Sequence, residues 1–481
     1  MTQVDKTKNK LFLIFLPSLF TAHILWTIFI FLSNKELLEK SKALKIENNI
    51  LISPAGLAAK GLEMFSTGFF SAVFFTFTAG VFFTFTGVFL GFLYSKSKNK
   101  LKTFLIIFYI FLLILIGYLL GDYFANILIG ILSFFLTIKL KPNIYFTKIY
   151  ILPIIALAII PFLYNGNSFF SDFRDKVLLT NSFGKAINNF YYKFTLYPAE
   201  IIKSPLKKQL KTAQLIGFNH SEQKHLESVL EKYNYFHLKN KNVKKDIKIF
   251  KFKNKVNLKT KNLELDFDCK SFLSDTDKII IKIAEKQQSP FLIKITIVGF
   301  VIFLPILLIF SFSIFLKTLF KLIFSNKTSE ISTSVSFILI LYLVLFPVFN
   351  SSFNEKLTIE KEINSTNKFK RINALKYIYQ NKIKFPVSDK NLNSSYDAER
   401  YWAVLNFPIK TPKDLDKIIK KTRDDNINVR CKAYQRIGTI SPFYEKHYKM
   451  ASEFLNSDYY KIKDWYVQWY AYNYGKKILL K

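Results

Sequence analysis

Four side chains stand where chemistry at a membrane would need them. His23 lies inside a long apolar run, about one helical turn from Trp26. An ionisable group at membrane depth is costly, which makes it a functional candidate by default. Asp122 sits in a Gly-Asp turn between two apolar runs, where a carboxylate can reach headgroups or cap the next helix. Arg174 and Asp175 follow the fifth apolar run. The guanidinium fork suits a lipid phosphate, although a local ion pair is the simpler reading. A second set, Glu264, Asp266 and Asp268, offers carboxylates to a hard cation. On a strand such groups stand roughly 6–7 Å apart with no loop to close around an ion. Pairing with a Lys-rich neighbouring strand, such as Lys251 and Lys253, is therefore expected instead. His220, His225 and His237 lack metal-site spacing, and no Ser/His/Asp or Cys/His pattern is visible. No cofactor is expected.

The elements that must position these residues are mostly apolar helices. A crossing needs roughly 20 apolar residues, because the hydrocarbon is about 30 Å thick and each residue rises 1.5 Å. Seven stretches qualify or nearly do: 11–32, 64–94, 103–120, 123–137, 150–164, 291–316 and 335–349. The second carries VFFTFT twice, at 73–78 and 81–86. Its glycines suit close helix packing, and Thr76, Thr78, Thr84 and Thr86 could line a path. With the N-terminus inside, short inner segments hold thirteen lysines and short outer loops five. Lysines in short loops stay cytoplasmic, so the expected orientation is N-terminus in.

The chain has 481 residues, 53 of them Phe and 26 Tyr, and a net charge of +35. Two cysteines, Cys269 and Cys431, exclude a disulfide-stapled scaffold. The charge is spread over two polar stretches and the short loops, which fits a Lys-rich surface beside anionic headgroups. Nucleic acid is not an expected partner, since no phosphate loop, zinc spacing or nucleic-acid motif accompanies the charge. Residues 165–206 read as an aromatic, amphipathic segment at headgroup level. Residues 207–290 read as a small α+β domain with strands at 213–218, 235–238 and 247–253 and helices at 221–233 and 274–287. Strict alternation at 263–270, with Leu263, Leu265, Phe267 and Cys269 on one side, marks a half-buried strand.

After a linker at 351–367 come helical patterns. Asp425-Asn426-Ile427-Asn428-Val429-Arg430-Cys431-Lys432-Ala433, closing on Ile437-Gly438, resembles the second helix of a HEAT-like repeat. Asp397 to Ala403 looks like another copy, and Asp464 to Ala471 a third in which Gln468 replaces the arginine. The resemblance covers 368–481 and implies a protein-binding helical domain without chemistry of its own. One helix pair cannot bury its apolar face, so stacked pairs must share a core. Arg400, Arg430, Trp465 and Trp469 are the candidate interaction surface.

The expected architecture is a polytopic α-helical membrane protein with about seven crossings, five of them in 1–164 and two in 291–350. A small α+β domain and a C-terminal HEAT-like domain stand outside the membrane. The leading expected function is non-enzymatic: a scaffold or envelope-complex subunit in a bacterial inner membrane, with 165–290 and the C-terminal domain on the outer side. The alternatives are an enzyme acting on lipid-linked substrates and a transporter using the Thr-rich helix.

Overall fold

In hydrocarbon every backbone N–H and C=O must be paired within its own segment, so apolar runs become helices. The computed structural model describes residues 3–48, 52–142, 166–195, 208–240, 242–261, 263–286, 290–299 and 359–479, with isolated positions besides. Helix α1 (Gln3–Asn48) runs unbroken for 46 residues. At 1.5 Å per residue it is about 69 Å long, well over the thickness of a bilayer. Short α2 (Gly56–Glu63) leads to α3 (Phe65–Phe75), which continues through a π-helical turn (Thr76–Gly80) into α4 (Val81–Lys96). Then come α5 (Asn99–Leu120), a 3₁₀ turn (Gly121–Asn126) and α6 (Ile127–Leu140).

Among the described residues four helices are long and apolar enough to cross a membrane: Lys10–Glu47, Phe65–Lys96, Asn99–Leu120 and Tyr123–Leu140. They match the first four expected crossings. The expected crossings at 150–164 and 335–349 lie outside the described residues, apart from isolated positions in the latter. Of 291–316 the described part is chiefly α11 (Pro290–Val298), which packs Leu292 and Ile295 into the bundle core. That core is aromatic: Trp26 stacks on Phe75 at 4.3 Å and on Tyr123 at 5.8 Å. Helices α4 and α6 run parallel in close approach. A Cβ on Gly87 would lie 2.1 Å from Ser133 Oγ, so no larger residue fits there.

The helices have unlike ends. Contacts of Phe15 with Phe85 and of Tyr94 with Phe134 bring the start of α1 to the ends of α4 and α6. Lys10, Lys96, Lys98, Lys100, Lys102, Lys139 and Lys141 therefore gather at one end. The polar domains stand at the other.

The first domain is a five-stranded sheet of order β2-β1-β3-β4-β5, built from β1 (Lys211–Ile216), β2 (Tyr235–His237), β3 (Ile247–Phe252), β4 (Lys255–Lys259) and β5 (Glu264–Asp268). β1 runs parallel to β2 and β3, and the remaining pairs are antiparallel. The parallel crossover from β1 to β2 is α9 (His220–Lys232). Its cap is Asn219, paired reciprocally with Glu222. Helix α10 (Cys269–Lys286) starts five residues earlier than the pattern at Ser274 indicated, because Asp268 accepts from the Lys270 and Ser271 amides. β4 was not expected, although Val256 and Leu258 alternate with lysine and asparagine at the period of a half-buried strand.

The C-terminal region holds α12 (Ile359–Ile363), α13 (Lys368–Gln380), α14 (Asp389–Leu392), α15 (Asp397–Asn406), α16 (Pro412–Lys420), α17 (Ile427–Gly438), α18 (Glu445–Asp458) and α19 (Trp465–Leu479). They pair in order, and α13, α15, α17 and α19 stack side by side as one layer. Their shared core includes Leu375, Val404, Val429 and Ile437, with the partner helices adding Leu415, Ile418 and Leu455.

Two links join these bodies to α1 and its loop. The extension of α1 packs Ala43 and Leu44 against Leu210, Phe236 and Leu238 of the sheet domain. Lys40, buried there, bonds Asp246 at 2.8 Å and Glu36 at 2.8 Å. On the other side Leu38, Ala58 and Leu62 enclose Trp465 of α19.

Candidate functional site

The richest arrangement of charged groups lies on the helix layer α13–α15–α17–α19. The same register recurs on each helix: Arg371 and Ala374, Arg400 and Ala403, Arg430 and Ala433, Gln468 and Ala471. All four alanines are fully buried where neighbouring helices touch. Each arginine reaches a carboxylate at the start of the next helix. Arg371 Nη2 donates to Glu399 at 2.8 Å, Arg400 Nε to Asp424 at 2.8 Å, and Arg430 Nη1 lies 2.8 Å from Asp464. Arg400 is the most enclosed, with further bonds to Asp397 at 2.9 Å and Asp425 at 2.7 Å. Burial lowers the affinity of its guanidinium for a proton, but the bond to Asp424 and the three carboxylate charges more than offset this and raise it. The sequence reading found three copies of this register and missed the first, because Arg371 lacks a preceding Asp.

This layer is covered by the chain itself. Helix α7 (Gly166–Lys176), helix α8 (Ser182–Phe190) and the π-helical turn Tyr191–Thr195 lie against it. Arg174 and Asp175 form a salt bridge at 2.7 Å, and Asp175 Oδ2 accepts from Trp402 Nε1 at 2.7 Å. The guanidinium stacks over the Tyr401 ring at 4.2 Å. Asp175 is buried, and both of its oxygens are engaged, one by Arg174 and the other by Trp402. Beside it, Lys376 donates to Asp172 at 2.8 Å and Lys176 lies 3.6 Å from the same carboxylate. Burial, and the charge of Lys376, pull the Lys176 ammonium below its ordinary range despite Asp172. Asn188 donates to Asn428 at 2.7 Å, and Lys185 bonds Asp397 at 3.3 Å and also Asp425.

Lys432 and Arg436 differ from these groups. Lys432 bonds Gln435 at 2.9 Å and faces the rings of Tyr401 and Tyr470, and Arg436 donates to the Phe407 carbonyl at 2.8 Å. The partners found for both are neutral, and burial lowers the proton affinity of each. Sequence reasoning passed over them, since a Lys and an Arg four apart on a helix ordinarily face solvent.

Gln468, which stands where the arginine register ends, has a different partner. Its Oε1 accepts from the Ala55 amide at 2.8 Å while its Nε2 donates to the Ala55 carbonyl at 2.8 Å. Gly56 beside it has φ +55°, and a Cβ there would lie 2.2 Å from the Tyr460 carbonyl oxygen. The loop after α1 is thus clasped by α19 and the turn before it. Trp465 is buried in this contact. Trp469 is half-buried, stacked on Tyr466 at 6.1 Å with Lys203 at 5.6 Å from its ring.

The remaining candidates are separate from this cluster. His23 Nδ1 lies 3.0 Å from Thr76 Oγ1 at the π-helical turn, with Phe69 against its ring at 4.4 Å. Thr76, Thr78, Thr84 and Thr86 each donate to a carbonyl of their own helix, at 2.8–2.9 Å. Asp122 falls in the 3₁₀ turn after α5, and its side chain is outside those described. In β5, Glu264 meets Lys259 at 2.9 Å, Asp266 accepts from Asn257 at 2.9 Å, and Asp268 caps α10. The lysine-bearing neighbour is β4, not the strand of Lys251 and Lys253; Lys251 instead bonds Glu222 at 2.7 Å. His237 pairs with Glu227 at 2.7 Å, and no group of three metal-ligating side chains occurs among the described residues.

No protein-family model, curated protein or solved structure matches the chain.

Proposed function

We propose that the chain is an integral membrane scaffold, or a subunit of an envelope complex of a bacterial inner membrane, whose outer domains bind partner proteins. One observation carries this reading. Stretches far apart in sequence interlock at a single end of the apolar helices, and Arg174 and Asp175 are engaged in that interlock. The end of α1 holds the sheet domain, its following loop is clasped by Gln468, and residues 166–195 brace the C-terminal layer.

The lysine-rich end of the helices supports an N-terminus in the cytoplasm and the polar domains outside. Leu140 stands at that end and Gly166 at the other, which supports a crossing at 150–164. Crossings at 291–316 and 335–349 complete the seven of this reading. The recurring Arg and Ala register supports a HEAT-like domain at 368–481. Its α13–α19 layer is occupied by the chain's own segment, so partners are assigned to the opposite side. Phe443, 97% exposed, and Tyr444, on the loop between α17 and α18, are the residues assigned to that contact.

Reporter fusions at Lys481 and near Lys239 test the orientation, and both should report the non-cytoplasmic side. Affinity purification from native membranes tests the function. A stoichiometric protein should accompany the wild type and be lost from a Phe443→Asp, Tyr444→Asp variant. Purification without any partner, together with turnover of a lipid-linked substrate, would replace this reading with the enzymatic one.

A further inference from the structure

Helix α8 has two faces, and one of them is fully accounted for. Lys185, Asn188 and Asn189 point at the C-terminal domain: Lys185 bonds Asp397 and Asp425, Asn188 bonds Asn428, and Asn189 Oδ1 accepts from the Ile427 amide at 3.2 Å. The opposite face carries Phe183, 75% exposed, with Ile187, Phe190 and Tyr191 also exposed. They fall on one helical stripe, since positions four, seven and eight apart share a side. The long polar side chains of the helix, Lys185, Asn188 and Asn189, are all turned inward.

The exposed stripe continues onto a helix of membrane length. Phe190 and Phe194 pack on Phe70 of α3 with centroids 6.3 and 5.1 Å away, and Tyr191 meets Phe74 at 6.2 Å. Phe69 and Phe70 of α3 are themselves exposed. Phe70 lies five residues into α3, about 8 Å along the helix axis. That depth falls within the roughly 5–10 Å at which interfacial helices bury their apolar faces.

We propose that α8 is a lipid-contacting strap. Phe183, Ile187, Phe190 and Tyr191 enter the boundary of headgroups and acyl chains, while Lys185, Asn188 and Asn189 hold the C-terminal domain from above. The strap sets the height and tilt of that domain on the bilayer. The occupant of the stripe is lipid because the apolar surface is continuous with the outer face of α3 and ends where the docked face begins. The inference rests on reading the apolar helices as membrane crossings.

The test uses the full chain in phosphatidylcholine–phosphatidylglycerol liposomes, with a single added cysteine carrying a nitroxide. The native Cys269 and Cys431 are buried, and the chain without an added cysteine reports their background labelling. Accessibility to oxygen and to a water-soluble nickel chelate is then compared. Ile107→Cys on the exposed face of α5 should favour oxygen, and Phe443→Cys should favour nickel. Phe183→Cys and Ile187→Cys should favour oxygen, at a shallower depth than Ile107→Cys. Nickel preference at Phe183 and Ile187 with oxygen preference at Ile107 would overturn the strap alone. Low access to both reagents at Phe183 would mean a protein covers it, which also overturns the strap. Nickel preference at Ile107 would remove the membrane reading beneath it.

Discussion

The arginine register of the C-terminal layer and the acidic row of β5 are both like charges at regular spacing, yet they meet opposite surroundings. Arg400 is enclosed by Asp397, Asp424 and Asp425, with hardly any of its surface in water. Glu264 and Asp266 meet Lys259 and Asn257 on an open sheet face. The difference is a matter of depth. A strand has one wet face, where each ion pair contributes only about 0–1 kcal/mol. A stacked helix layer has neighbours on both sides, and here a further segment, residues 166–195, lies over it. A charge enclosed in this way cannot lose its partner cheaply.

Removing the most enclosed arginine should break the comparison most visibly. Arg400→Ala leaves the enclosed Asp424 without the arginine that pairs with it and Asp397 with the charge of Lys185 alone at 3.3 Å, at a cost on the order of 3–5 kcal/mol. The purified full chain should melt at a clearly lower temperature when followed by circular dichroism. A loss no greater than that of an exposed pair would mean the register is surface decoration.

Ala433→Leu sharpens the geometric half of the argument. Ala433 is fully buried between helices, so added volume forces them apart at roughly 1–3 kcal/mol. Its melting shift should fall between those of the Arg400 and Asp266 variants. A silent outcome would place Ala433 outside the helix contact.

Asp425 tests the rim of the same cluster through pH. Burial pushes its carboxyl up, but bonds to Lys185 and Asp424 and the charges of Lys185 and Arg400 outweigh this and hold it at about 2, against an ordinary 3.8. A depressed folded value means its contribution is present above the unfolded value and is lost as pH falls through the folded one. The stability gap between the wild type and Asp425→Asn should be constant above about pH 5 and close between pH 4 and 2. A gap that widened in acid would reverse the sign and reject the pairing.

Asp266→Asn should do least. Its partner is the Asn257 amide on an open face, so the change in stability should stay within about 0.5 kcal/mol. If the variant instead lost a cation-dependent rise in melting temperature, the acidic row would be a metal site after all.

Much of the local structure was legible in the residues. The alternation at 263–270 marked β5, although Cys269 and Lys270 belong to α10, and the Asp425–Ala433 pattern marked α17 because an apolar stripe must recur at helical spacing. Four of the apolar runs became membrane-length helices, since hydrocarbon leaves the backbone no other way to satisfy itself. β4 carries the same alternation but was passed over, since only two apolar residues, Val256 and Leu258, mark it. The start of α10 escaped because a cap depends on which carboxylate the backbone turns toward.

What the chain could not reveal alone was which distant surfaces meet. Arg174 and Asp175 were read as an ion pair or a phosphate site, and the pair itself is local; that Trp402 completes it is not. Gln468 stood out as a departure from the arginine pattern, but nothing near it in sequence names Ala55 as its partner. Periodicity constrains neighbours within a turn or a strand, because those distances are set by backbone geometry. Partner choice across hundreds of residues is decided by packing, where whole faces must fit together.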